Sequence, residues 1–561
     1  MSNIKICALG GLGENGKNIY VVEVDDKIFV LDAGLKHPSF DLYGIDAVIP
    51  DISYLKENKS RVQGIFLSHG HDDHIGAIAE LLRYVPVGVY GSKFTMALVE
   101  VAILEAGLNV SDYRLYRTSD DRVMKFGNVS VSFFSLNHSI PESLGIAVQT
   151  SDGAIVYAPD FTFASSTDPK YRTNFGKISD IGQSGVLALL SESLGTTNIS
   201  RVSNDYALTH AVTDILQNSK RVIFSMFSNE LQRIQKVINI CVQQNRRVAI
   251  IGKRAQKTIN VAMNNDYLKI PADKLVNLKY INDEVTNEND DLAVIITGAR
   301  HEPYYTLQRM AMGNDRLVKI TEKDHIVIVS QAATGTELLA SHSIGLLHRL
   351  GATITTIPKE QLQSSHADSE DLKMLYEMLK PKYIIPACGE YRHQFMQKNV
   401  ALEAGYGEDK ILMLDNGDMI TFQNGVQTGG KTKISVGDVL IDGSIVGDIN
   451  EVVIKDRGLL GSDGVIMVVT SLDPRTKLIV AGPKVVLRGF FVGETAIDVV
   501  NSLTEISEDV IEKYFSKKRV DWNELKNLLK DAISSEIFHL TKKNPIIMPV
   551  LIDVETRKEQ K

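Results

Sequence analysis

The run Leu67-Ser68-His69-Gly70-His71-Asp72-Asp73-His74-Ile75-Gly76 constrains this chain more than any other stretch. Four potential metal ligands, His69, His71, Asp73 and His74, fall within six residues, directly after the β-rich VQGIFL and before a helical pattern. Imidazoles and carboxylates suit zinc or manganese. A turn at a strand end can bring alternate side chains to one point, so the run asks for strand, turn and helix start in that order. The plainer alternative, a polar loop with fortuitous histidines, does not explain such density.

The surrounding pattern agrees with a layered α/β domain. Short β-rich runs at 4–9, 19–24, 28–32, 62–67, 129–134 and 154–159 are separated by Gly and Asp turns, with helical patterns at Ala77–Tyr84 and Ser92–Ala106. From about Asp205 the texture changes. Helical stretches (Ala207–Gln217, Leu231–Asn245, Tyr304–Met312, Thr336–Arg349) alternate with the strands RVIFSM, RVAIIG, AVIIT and HIVIVS, which predicts a parallel sheet of its own. Motif-like chemistry resumes near Thr355, so this second unit reads as an insertion. The expected organisation is a first domain over 1–205, an insert over 206–354, a return segment over 355–424, a Gly-rich linker over 425–449 and a C-terminal α/β domain over 450–561.

Composition narrows little. A net charge of -8 provides no basic footprint, so RNA would need positive charge gathered locally. Three scattered cysteines form no disulfide framework and fit a reducing cytosol. With no signal-like N-terminus and no apolar run of about 18 residues, the chain is expected to be soluble, cytoplasmic and without a membrane partner.

The motif resembles the signature of the metallo-β-lactamase superfamily, and further elements follow it in order. Asp32 in LDAG resembles the residue that orients the histidine loop, His138 in LNHSIPES the third-motif ligand, and Asp160 in YAPDF the carboxylate bridging two metals. Alone, His138 reads as a loop histidine and Asp160 as a strand-end cap; their order after His69 lends them weight. Glu192 in LLSES, His366 in QSSHADSEDL and KPKYIIPACGEYR resemble β-CASP nuclease motifs. Within these, GGLGENGKN, SNELQRIQ, TGARHEP, IDGSIVGDINEVVIKDR and AGPKVVLRGF resemble the ribonuclease J family nearly end to end. The resemblance implies an αββα sandwich with an inserted β-CASP parallel-sheet domain and a C-terminal domain that mediates subunit contacts. It implies up to two zinc or manganese ions, one held by His69, His71 and His138, the other by Asp73 and His74, with Asp160 between them. It also implies Asp73 and His366 as catalytic groups, Leu362, Gln363, Ser364, Ser365 and His366 as RNA-binding residues, and Asp32 and Glu192 as supports behind them.

Several positions depart from that family. Active members carry a histidine ligand of the second metal where this chain has Cys388, a soft thiol poorly matched to manganese. His393, five residues on, falls on the next helix. Active relatives read close to His-Val-Ser-Gly-His-Ala-Ser where this chain has Leu362-Gln363-Ser364-Ser365-His366-Ala367-Asp368. Ser365 adds bulk where glycine allows close approach, and Asp368 can cap the following helix and occupy donors a phosphate would use. Arg300 and His301 stand where Gln-Gly is usual, and Gln232 where histidine is usual. These departures resemble the second, weaker paralogue found beside an active ribonuclease J in Gram-positive bacteria. Two functions follow as expectations: a weak 5′-exonuclease and endonuclease, or a structural, RNA-binding subunit of a complex with an active paralogue, homo-oligomeric or larger. A thioesterase or lactonase lacks both the insert and the His366 motif.

Overall fold

The structure is a computed structural model that describes residues 2–39, 41–197, 206–252, 256–276, 290–333, 335–443, 445–447, 449–489, 494–516 and 521–554. The chain separates into two compact units, Met1–Lys36 with Val48–Val439, and His37–Ala47 with Leu440–Lys561.

In the larger unit two sheets stack face to face. One has eight strands in the order 426–433, 418–423, 3–10, 19–24, 27–31, 62–66, 89–91, 115–117; the other has six, in the order 383–387, 186–192, 153–158, 144–150, 129–135, 123–126. Between them lies one apolar layer that includes Ile6, Val22, Phe29, Phe66, Phe133, Ile146, Tyr157 and Ile385. Helices Ile78–Tyr84 and Lys93–Glu105 contribute to the core on the outer face of the first sheet. Phe175–Gln183, Ser369–Leu379 and Tyr391–Glu403 cover the second. Covered on both faces, Ile19–Val24 and Val186–Glu192 are buried at every residue, which explains their continuous apolar sequences. Each fully buried Val, Leu, Ile or Phe here contributes roughly 1.5–3 kcal/mol.

A third sheet, all parallel, runs 247–251, 292–298, 222–227, 325–328, 353–356. Its helix–strand alternation is the one the sequence predicts. Asp205, where the first domain is expected to end, lies outside the described residues. The structure departs from expectation at the 425–449 linker. Val426–Lys433 is a strand paired antiparallel with Asp418–Gln423 at the edge of the first sheet. Its glycines and exposed Thr and Lys side chains read as a loop, but edge pairing uses the backbone and asks little of side chains.

The smaller unit carries a sheet ordered 478–488, 465–473, 546–553 and the helices Glu451–Ser462, Glu494–Phe515 and Trp522–Thr541. Leu525, Leu529, Ile533 and Ile537, at helical spacing, pack with Ile466, Val468 and Ile547 of the sheet. The strand Ile546–Asp553 is absent from the sequence expectation; it contains Pro549, whose missing N–H is tolerated at a sheet edge. Among the described residues no helix is long and apolar enough to cross a membrane.

Candidate metal centre

The motif residues meet at the C-terminal ends of the strands. His69 and His71 follow strand Val62–Phe66, and Asp73 and His74 open the turn of helix Asp72–Ile75. His138 follows Val129–Ser135, Asp160 follows Gly153–Ala158, and Glu192 ends Val186–Glu192. The histidine loop can close on the first sheet because Gly34 has no side chain: a Cβ there would lie 1.7 Å from the Asp73 carbonyl oxygen.

Asp32 fixes the loop from behind. Fully buried with a φ of 63°, it accepts hydrogen bonds from Ser68 N (2.7 Å), Ser68 Oγ (2.8 Å), His74 Nδ1 (2.7 Å) and the Tyr157 hydroxyl (2.9 Å). Ser68 Oγ has thereby spent its proton, so at 3.0 Å it accepts from His69 Nδ1. His138 Nδ1 donates to the Ser365 carbonyl (2.8 Å), and His71 Nε2 to the Asn229 carbonyl (3.2 Å). Each imidazole is thus held in one tautomer, with its lone pair on His69 Nε2, His71 Nδ1 and His138 Nε2.

Those lone pairs converge. His71 Nδ1 is 3.1 Å from His69 Nε2 and 3.2 Å from His138 Nε2, and Asp160 Oδ2 is 3.7 and 3.6 Å from His69 Nε2 and His138 Nε2. These spacings approach the roughly 3.4 Å edge of a tetrahedron whose centre lies about 2.0–2.1 Å from each nitrogen. Burial holds His69, His71 and His138 below the ordinary histidine range, and neighbouring imidazoles add to this, so the rings are neutral as ligation requires. Asp160 Oδ1 is buried and has no hydrogen-bond partner among the described residues. A carboxylate whose Oδ2 lies against the converging lone pairs and whose Oδ1 is left without a partner fits a cation.

A second set, Asp73, His74 and Asp160, has His74 Nε2 at 3.6 Å from Asp73 Oδ2 and 3.7 Å from Asp160 Oδ2. Burial opposes a charge on His74, but Asp73, Asp32 and Asp160 outweigh it and raise the imidazole well above its usual value. Negative charge in excess gathers here, which a cation would balance.

Cys388 is not brought into either set. Its backbone is left-handed (φ 45°), and its buried Sγ lies 3.5 and 3.6 Å from the Tyr20 and Tyr157 hydroxyls. Burial pushes the thiol pKa well up, so it is a neutral partner of two tyrosines. His393 sits on helix Tyr391–Glu403, largely buried, and joins no set.

His366 and Glu192 pair closely, Nδ1 donating to Oε2 at 2.8 Å, while Glu192 Oε1 accepts from Phe161 N and Ala367 N. Burial pushes the Glu192 carboxyl up; burial opposes a charge on His366, but Glu192 and Asp160 raise its imidazole above the usual range. Together with Asp160 they form a third cluster, so Glu192 stands nearer the centre than a supporting role implies.

The 362–366 stretch is less open than expected. Leu362 is buried in the core, the Gln363 carbonyl accepts from Arg233, and Ser364 Oγ closes a local turn onto His366 N and O. Asp368 does cap the next helix, accepting from Glu370 N (3.0 Å) and Asp371 N (2.9 Å). Sequence reasoning missed Tyr20, Tyr157, Asn18, whose Nδ2 lies 3.2 Å from His74 Nε2, and Ser139, whose Oγ lies 3.3 Å from His71 Nε2. A tyrosine inside an otherwise aliphatic strand is a usable signal, because a buried hydroxyl needs a partner.

Comparison with known proteins agrees with this geometry. Residues 219–347 match "Ribonuclease J, beta-CASP domain", 452–554 "Ribonuclease J C-terminal domain", 12–105 "Metallo-beta-lactamase superfamily" and 360–406 "Zn-dependent metallo-hydrolase RNA specificity domain". A protein named Ribonuclease J 2 from Staphylococcus aureus (strain NCTC 8325 / PS 47) is 36% identical over 553 residues, 98% of each chain. Its namesake from Staphylococcus epidermidis is 37% identical over the same shares. A solved structure of a protein of unknown function from Enterococcus faecalis V583, 15% identical, shares the fold with a TM-score of 0.52, over 75% of this chain and all of that one. A metallo-β-lactamase sandwich with an inserted parallel sheet, a histidine–aspartate centre at its strand ends and end-to-end relatives of this kind identify the chain as a member of the ribonuclease J family.

Proposed function

We propose that this chain is a metal-dependent ribonuclease of the cytoplasm that degrades RNA from the 5′ end, cuts internally, and serves rRNA maturation and mRNA decay. The observation that carries the reading is the convergence of His69 Nε2, His71 Nδ1 and His138 Nε2 beside the Asp160 carboxylate, whose Oδ2 faces His69 and His138 and whose buried Oδ1 has no hydrogen-bond partner among the described residues. These groups would hold one zinc or manganese ion; Asp73, His74 and Asp160 would hold a second. When bound, the ions supply Lewis-acid stabilisation of the charge on phosphate and leaving oxygen.

The chain's own groups do the rest. The backbone amides of Ser364 and Ser365 and the Ser365 hydroxyl bind the RNA phosphate beside His366, while the Ser364 hydroxyl holds the local turn. Asp73, half exposed beside His74, orients the attacking water and accepts its proton. The water oxygen bonds to phosphorus while the bond from phosphorus to the departing ribose oxygen breaks. His366, fixed at Nδ1 by Glu192, gives that oxygen its Nε2 proton.

Intrinsic activity is low in this reading, because Cys388 supplies no fourth ligand to the second set and Asp368 already occupies the donors of the helix start. The same two observations favour a second role, an RNA-binding subunit assembled with an active paralogue. Elemental analysis after exhaustive dialysis, combined with decay of 5′-monophosphorylated RNA with and without that paralogue, tests both. At least one ion per chain and metal-dependent decay by the chain alone, lost in His366→Ala, supports the enzyme. Decay only with the paralogue supports the subunit, and less than about a tenth of an ion per chain defeats the metal reading.

A further inference from the structure

The acceptor that fixes His71 does not come from the metallo-β-lactamase layers. It is the carbonyl of Asn229, in the turn that links strand Val222–Phe227 to helix Leu231–Gln243 of the parallel-sheet insert. Ser139, next to His138, joins the two: its Oγ donates to the Asn229 carbonyl (3.1 Å) and lies 3.3 Å from His71 Nε2, while its carbonyl accepts from Gln232 N (3.0 Å). The turn is anchored within the insert by Glu230, which binds Arg233 and Ser330, and by Phe227 N donating to Ser330 Oγ.

We propose that Ser139 and the Asn229 carbonyl are positioning groups for His71, so that metal affinity is set in part by the inserted domain. The physical reason is tautomeric. His71 uses Nδ1, on the crowded side of the ring, and its Nε2 proton must find an acceptor for that lone pair to face His69 and His138. Ser139 is buried, so without it the shared proton has only one acceptor, on a turn carried by another domain.

The inference rests on the metal reading above, and the test separates the two. Zinc affinity is measured on the full-length protein by competition with a chromophoric chelator. A wild-type chain that holds no zinc defeats the metal reading. If wild type binds, Ser139→Ala is expected to weaken zinc about 10- to 100-fold, as loss of such outer partners does elsewhere, and Ser139→Thr to restore affinity to within about threefold of wild type. Glu230→Ala, which loosens the turn without touching the centre, is expected to weaken zinc at least about threefold, below the full outer-partner loss. Ser143→Ala controls for the loop fold, since Ser143 lies in the same loop but its hydroxyl donates to Ile140 O, away from His71. Unchanged zinc affinity in Ser139→Ala or Glu230→Ala overturns the inference, as does an equal loss in Ser143→Ala.

Discussion

Cys388→His restores an imidazole where this chain carries a thiol, and the structure lets its cost and gain be weighed. The pocket is tight, with Cys388 1% exposed and its sulfur against two tyrosine hydroxyls. Extra ring atoms there cost about 1–3 kcal/mol through overpacking. The backbone adds nothing, because histidine tolerates the left-handed φ that cysteine already occupies. Nor are the tyrosines stranded: Tyr20 still donates to Gly11 O or Asn18 Oδ1, and Tyr157 to Asp32. On the other side, a fourth ligand would complete Asp73, His74 and Asp160, and a second ion is worth several kcal/mol of transition-state stabilisation. Even 3 kcal/mol is a rate factor of about 150. The expected outcome is a rise from about one to about two manganese ions per chain, as the ligand sets predict, and RNA hydrolysis at least tenfold faster, a gain of about 1.4 kcal/mol. Metal content and initial rates on 5′-labelled RNA, in zinc and in manganese, measure it. Full occupancy with no faster cleavage, or unchanged occupancy, would refute the argument that the missing ligand limits the chain.

Asp32→Ala removes the acceptor of four hydrogen bonds in a fully buried site, and should cost about 3–5 kcal/mol; an unchanged apparent midpoint of thermal unfolding contradicts this. Ser365→Gly with Asp368→Ser should sharpen preference for a 5′-monophosphate over a 5′-hydroxyl RNA in filter binding, whereas equal affinities before and after make Asp368 only a helix cap. Replacing Asp368 by alanine should cost about 0.5–2 kcal/mol through lost capping, read by hydrogen exchange at Glu370 and Asp371, whose amides it accepts; unaltered protection would count against it. A chain ending at Val439 keeps the paired strand Val426–Lys433 and should form particles of fewer subunits in light scattering than the full chain; an unchanged subunit number removes the C-terminal domain from assembly.

What the sequence disclosed, it disclosed where chemistry resides in side chains. His69, His71, Asp73 and His74 carry their own signature, His138 and Asp160 gain theirs from their order after it, and the helix–strand rhythm of the insert follows from apolar periodicity. The Cys388 departure was readable for the same reason. What stayed hidden is written in backbone: the Asn229 and Ser365 carbonyls that fix two tautomers could belong to any residue type. Leu362 shows the converse, since a motif position taken for substrate contact is apolar and packs inward. Both edge strands escape the sequence pattern in the same direction. Val426–Lys433 has loop composition and Ile546–Asp553 contains a proline, yet each needs only one partner to form.

The return of the chain to its first sandwich has a consequence for its synthesis. Val186–Glu192 lies between Gly153–Ala158 and Tyr383–Ala387, pairing in parallel with both. A ribosome making about 5–20 residues per second takes roughly 10–40 s to travel from Glu192 to Ala387. Through that interval the nascent sheet ends on a strand of Val, Leu and Ala with its outer backbone groups unpaired, the kind of edge on which aggregation begins. Glu192, buried in the finished protein, meanwhile waits without His366. The insert must fold during this window, which makes early closure of its parallel sheet a condition for recovering active-site residues on both sides of it. Slowed translation across residues 206–356, or a chaperone that shields strand edges, should therefore change the yield of this protein more than its final stability.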